Sequence, residues 1–157
     1  MAFTNTNDFI TGRAPVPTPS GGEVVAVRFT LALATGDLVL NTIGQVGILP
    51  AGCVPVGLPI IDATDLDSGG GAGVYQLGIL DAACTAMSSA AADGGGDWGN
   101  TGTAVATAFN KQITATLNNI ANVTASASDR KLGVKVTTAP STAVAGTLGV
   151  TLFYRAA

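Results

Sequence analysis

Residues 43–67 read IGQVGILPAGCVPVGLPIIDATDLD, the longest apolar run in the chain, broken by Pro50, Pro55 and Pro59 and closed by Asp62, Asp65 and Asp67. A membrane-spanning helix needs about 20 apolar residues without such breaks, and a proline inside a helix costs roughly 3 kcal/mol. The stretch therefore reads as two strands joined at Leu49-Pro50-Ala51-Gly52. In the second strand, from Cys53 to Ile61, Pro55 and Pro59 share one parity, so both missing N–H donors lie on one edge. Val54, Val56, Leu58 and Ile60 keep their donors on the other edge, and their large side chains predict that this parity faces the core. An edge without donors also resists uncontrolled strand addition, which suits a protein packed beside copies of itself.

The same grammar extends in both directions. Upstream, Val25, Val27, Phe29, Leu31 and Leu33 alternate with Arg28 and Thr30 on the opposite face, a strand over its whole length. Thr35-Gly36-Asp37 makes a turn, and Leu38–Leu40 with Ile43–Ile48 predict the next strand, bulged near Asn41 or Gly44. Downstream, Asp62–Gly73 is a loop and Gly73–Leu80 a strand. Asp81–Asp93 is the one helical candidate, short or merely a compact loop because it lacks an apolar stripe. A glycine-rich segment, Asp93–Gly102, holds the sole tryptophan, Trp98, expected to pin that loop against the body or a neighbour. Strands are predicted over Thr103–Phe109, Lys111–Val123, Leu132–Val136 and Thr147–Arg155, the last with Leu148, Val150, Leu152 and Tyr154 inward and Phe153 outward.

Around eight short strands with almost no helix imply an all-β fold, an antiparallel β-sandwich of jelly-roll type. It occupies residues 23–157. Residues 1–22 form an extended proline-rich N-terminal arm in which Pro15, Pro17 and Pro19 alternate before Ser20-Gly21-Gly22. At about 3 Å per residue such an arm reaches on the order of 60 Å, and Phe3, Phe9, Ile10 and Val16 favour a docked arm over a frayed end.

Composition bounds the function. With 157 residues the chain suits one domain with an arm, and its 11% charged residues lie well under the roughly 25% of ordinary soluble domains. Mean hydropathy is +0.46. A surface so poor in charge favours a protein that lives in contact with partners. A net charge of −3 with scattered lysines and arginines argues against nucleic acid. The N-terminus has neither the basic start nor the apolar block of a signal peptide or membrane anchor.

Chemistry is thinly represented. The chain has no histidine, which excludes Ser-His-Asp and Cys-His nucleophile activation and the usual imidazole metal sites. Cys53 and Cys84 read as buried free thiols, and Cys84 has no basic neighbour in sequence to activate it. Asp62, Asp65 and Asp67 before Ser68-Gly69 are the one cluster that resembles a Ca²⁺ loop, but their spacing departs from the EF-hand and turn capping explains them as well. No catalytic residue, cofactor or metal site is expected, and the protein is not expected to be an enzyme.

The segments ILPAGCVPVGLPIIDATDLDSG, VYQLGILDA and ASDRKLGVKVTTAPSTAVAGTLGVTLFYRAA resemble small head proteins of tailed bacteriophages. The shared features are an LPAG-x-VPV strand start, an acidic DLDSG loop, a GIL strand, a DR-x-x-GV-x-V strand and a closing AGT-x-x-x-x-L-x-YR strand, together spanning about two thirds of the chain. The resemblance implies a decoration, or cement, protein made in the host cytoplasm and located on the outer capsid surface of the virion. Its partners would be the phage major capsid protein and itself, as a homo-oligomer, dimer or trimer. On this reading the partner contacts are Phe3, Phe9, Pro15, Val16, Pro17, Pro19, Trp98 and Phe153. The alternatives are a fibre or receptor-binding β-sandwich and a tail or connector subunit.

Overall fold

A computed structural model describes residues 2–102, 107–116 and 119–157. Among them ten strands form: β1 (Val24–Leu33), β2 (Ile43–Leu49), β3 (Cys53–Pro55), β4 (Ile60–Ala63), β5 (Val74–Ile79), β6 (Asp97–Asn100), β7 (Phe109–Gln112), β8 (Thr114–Ala115), β9 (Arg130–Thr138) and β10 (Gly146–Ala156). One sheet has the order β1-β10-β4-β7 with β3 also paired to β10, and the other has the order β2-β9-β5-β6-β8. The pairings nest: β1 with β10, β2 with β9, β4 with β7 and β5 with β6, alternating between the sheets. A long antiparallel ribbon wound into two facing sheets gives this pattern, and it is the jelly roll the turn spacing predicts.

Among the described residues no helix is long and apolar enough to cross a membrane. Residues 81–93 are a compact loop ending in a 3₁₀ turn, Ala91–Asp93. The strand predicted over Thr103–Phe109 falls partly on residues outside the described ones, as does part of Lys111–Val123. Where they are described, these segments give β7, β8 and a 3₁₀ turn, Asn119–Asn122.

The decisive stretch folds differently from its simplest reading in two respects. First, β2 and β3 belong to opposite sheets, so Leu49-Pro50-Ala51-Gly52 is the corner where the chain changes layer. Second, Cys53–Ile61 is interrupted. Val54 lies opposite Arg155 and Ile60 opposite Thr151, which leaves two more residues on this side than on β10, and Gly57 turns the excess outward at φ 71°. Val56 N donates to the Phe153 carbonyl at 2.8 Å, so the donor-bearing edge does face β10 as the proline parity requires. The expected core face is corrected: Val54, Val56, Leu58 and Ile60 are only half-buried, whereas Cys53, Pro59, Ile61 and Ala63 are buried. Register against β10 sets this. Tyr154, Val150 and Leu148 point inward and draw Pro55, Ile61 and Ala63 with them.

The core is made by alternation: Val27, Phe29, Leu31 and Leu33 from β1, Leu148, Val150, Leu152 and Tyr154 from β10, Leu132, Val134 and Val136 from β9, and Tyr75, Leu77 and Ile79 from β5. Each such aliphatic side chain contributes about 1.5–3 kcal/mol on burial. β2 is the exception. Its inward positions opposite Val134 and Leu132 are Gly44 and Gly47, separated by a register shift between Gln45 and Gly47. The space beside Gly47 is filled by the Phe29 ring and that beside Gly44 by the Phe3 ring. The predicted bulge therefore falls just after Gly44. Residues 38–40 do not extend β2; Leu38 closes a 3₁₀ turn, and Val39 and Leu40 lead into a tight bend with Asn41 at φ 65°.

Candidate functional site

Two features distinguish the surface. The first is the arm, which lies in the seam between the two sheets, along the unpaired edges of β1 and β2. Ala2 makes a parallel bridge to Ile43. Thr4 donates through its backbone N and its hydroxyl to the buried Asp37 carboxylate, both at 2.9 Å. Asn5 Nδ2 donates to the Ala32 carbonyl at 2.9 Å. Asn7 Nδ2 donates to Thr30 on β1 at 3.0 Å and to Val46 on β2 at 2.8 Å, so one amide spans both sheets. Phe9 meets Phe29 edge to face, with ring centroids 5.0 Å apart. Farther along, the Pro17 carbonyl accepts a hydrogen bond from Tyr154 Oη at 2.6 Å.

The second feature is the end of the sandwich where the β1–β2, β4–β5 and β9–β10 connections emerge. Val39 (51% exposed), Leu40 (53%) and Val144 (37%) project there, and residues 34–42, 64–73 and 139–145 contain no lysine or arginine. Asp67 makes this end rigid. Its carboxylate accepts from Gly69 N and Ala72 N in its own loop, and from Ser141 N, Ser141 Oγ and Thr142 N in the facing loop, at 2.8–3.0 Å. Burial pushes this carboxyl upward, but the backbone N–H groups of Thr142, Ser141, Gly69 and Ala72 together outweigh it. They hold Asp67 well below the usual carboxylate range.

No protein-family model matches the chain, and no curated protein matches it. Among solved structures it is similar to a chain of the capsid of Ralstonia phage GP4. The two are 28% identical, superpose with a TM-score of 0.74, and match over 96% of each chain. The chain is capsid-related. The likeness takes in both sheets, so it belongs to the whole jelly roll and not to a shared motif.

The residues singled out in the sequence sort into three groups. Phe3, Phe9 and Val16 are half-buried and pack on the chain's own core; Pro19 is buried, and Pro15 and Pro17 are exposed. Phe153 is half-buried on the outward face of β10, opposite Ala26. Trp98 requires a correction, since it is 0% exposed and its indole cannot face a partner. It pins the loop from within by donating Nε1–H to the Asp93 carbonyl at 2.9 Å. The carboxylate of Asp93 accepts from Ser88 Oγ at 2.6 Å and lies 3.3 Å from Arg130, whose guanidinium also donates to the Ala92 and Cys53 carbonyls at 3.0 Å.

The acidic cluster divides among different tasks. Asp62 pairs with Arg28, whose Nε lies 3.0 Å from Oδ1; Asp65 accepts from Asp67 N; Asp67 staples two loops. Asp65 and Asp67 follow the turn-capping reading, whereas Asp62, on β4, holds an ion pair instead. Cys53 is buried, and burial pushes its thiol up. Cys84 departs from expectation: it is only half-buried, sits at φ 57°, and has Lys131 Nζ 3.2 Å from its sulfur. That neighbour, 47 positions away, carries no signal in sequence. Val39 and Leu40 escape a sequence reading because a strand over Leu38–Leu40 takes both of them in, and Val144 because a lone valine in the connection between β9 and β10 carries no pattern.

Proposed function

We propose that the protein is a decoration, or cement, subunit that binds the outer surface of a phage capsid as a small homo-oligomer and bridges adjacent major capsid proteins. The observation that carries this reading is the whole-length likeness to a chain of a phage capsid, which also supports a virion location. The charge-poor end with Val39, Leu40 and Val144 is the surface we assign to the shell. Burying side chains of that kind supplies about 1–2 kcal/mol each, weak alone but cumulative. An oligomer that touches several capsomers turns later contacts into intramolecular ones, raising avidity without new chemistry. Bridged capsomers would resist the outward pressure of packaged DNA. The role asks for no catalysis.

The test is to add purified protein to shells that lack it and to image them. Density on the outside, across junctions between capsid subunits and with loops 34–42 and 139–145 toward the shell, is the expected result. Density in the shell lattice, in the tail or in a fibre would replace this function with another virion role. Leu40→Asp combined with Val144→Asp should weaken attachment at least tenfold while leaving the melting temperature within a degree or two.

A further inference from the structure

Edge strands expose rows of unpaired N–H and C=O groups that recruit other strands, and proteins defend them with bulges, proline or charge. Two edges here carry such defences: β3 ends in Pro55, and β2 has the register shift after Gln45. The β1 edge has none. Its ten residues, VVAVRFTLAL, contain no proline, pair with β10 without a shift, and hold one charge, Arg28, already paired with Asp62. What covers it is the arm. Asn5 and Asn7 place their amides on the Ala32 and Thr30 carbonyls, and Phe3 lies in the space left by Gly44. The chain directly after this segment passes through Gly12, at positive φ with open space beside it, so residues 2–9 can leave while Val16 and Pro17 stay docked.

We propose that residues 2–9 are an intramolecular edge guard, and that displacing them lets β1 pair with β1 of a second copy of the chain. The edge itself selects that occupant. A straight antiparallel edge is self-complementary about a two-fold axis, and the outward side chains at Ala26, Thr30 and Ala32 are too small to bar approach. The inference stands on the arm and β1 alone and is independent of any capsid role.

The test uses the full chain. Asn5→Ala with Asn7→Ala removes the amides from the edge, and Gly44→Val places carbon atoms where the Phe3 ring lies. Hydrogen exchange over residues 2–9 reads whether the arm has left, sedimentation velocity reads association, and the near-ultraviolet dichroism of Trp98 reports the fold. If Gly44→Val fails to fold, the asparagine double variant carries the test. The expected result is loss of protection in the arm together with at least tenfold tighter self-association, reversed by adding Thr30→Lys on the edge. The proposal is overturned by an arm that leaves with association unchanged, by association that Thr30→Lys does not reverse, or by an arm that stays docked in every folded variant.

Discussion

Tyr154 Oη donates to the carbonyl of Pro17 at 2.6 Å, joining the last strand to the arm across 137 positions of sequence. The tyrosine ring is fully buried while Pro17 is exposed, so the bond sits at the margin of the core. Tyr154→Phe keeps the ring and removes the donor. It should cost about 1 kcal/mol, read as a lower denaturant midpoint at unchanged m-value.

The two tyrosines of the chain also make a pH prediction. Burial, helped by Asp67 at Tyr75 and by Cys53 at Tyr154, pushes both phenols up to about 12. A pKa raised by folding stabilises the native state fully below the unfolded value of about 10, and that contribution is lost as pH rises through the folded value. Phenolate absorbance should therefore stay flat through pH 10 and appear only near 12, with unfolding. A titration centred at 10 in the native protein would show that the rings are not enclosed.

At the acid limb Asp67 and Asp81 both have carboxyls held below the usual range by hydrogen bonds, Asp67 the more strongly. The folded pKa of Asp67 is depressed by backbone N–H donors, so its contribution is complete above the unfolded carboxylate value near about 4 and declines as pH falls below it. Asp67→Asn should lower the melting temperature by several degrees at neutral pH, and the gap between variant and parent should narrow steadily below pH 4. A gap independent of pH would mean that the loops are held by something other than this carboxylate.

Arg130 is 8% exposed and has one acidic partner, Asp93. Asp93→Ala leaves a buried guanidinium without its counter-charge and Ser88 without its acceptor, a loss of about 3 kcal/mol on the scale of broken buried pairs. Equilibrium denaturation measures it.

The indole of Trp98 reports on the same loop. Emission from this single tryptophan should be blue-shifted and insensitive to iodide in the native state, and both properties should vanish together on unfolding. Trp98→Phe should destabilise by about 1–3 kcal/mol through lost volume and a lost hydrogen bond.

The sequence alone determined the class of fold. Period-two alternation in 25–33, 74–80, 132–136 and 147–155 leaves no option but strands half-facing a core, and the glycine and proline breaks between them forbid long helices. It also determined which edge of 53–60 could donate, because proline removes N–H groups at known parity. Only the tertiary structure decided which face of that strand is inward, since apolar residues occupy both parities and register against β10 breaks the tie. Only the structure showed why β2 bears glycines at two core positions: the missing volume is supplied by Phe29 from the other sheet and by Phe3 from an arm some forty positions away. Local sequence fixes backbone geometry and side-chain alternation, but the filling of a core is a property of pairs of residues brought together from distant parts of the chain.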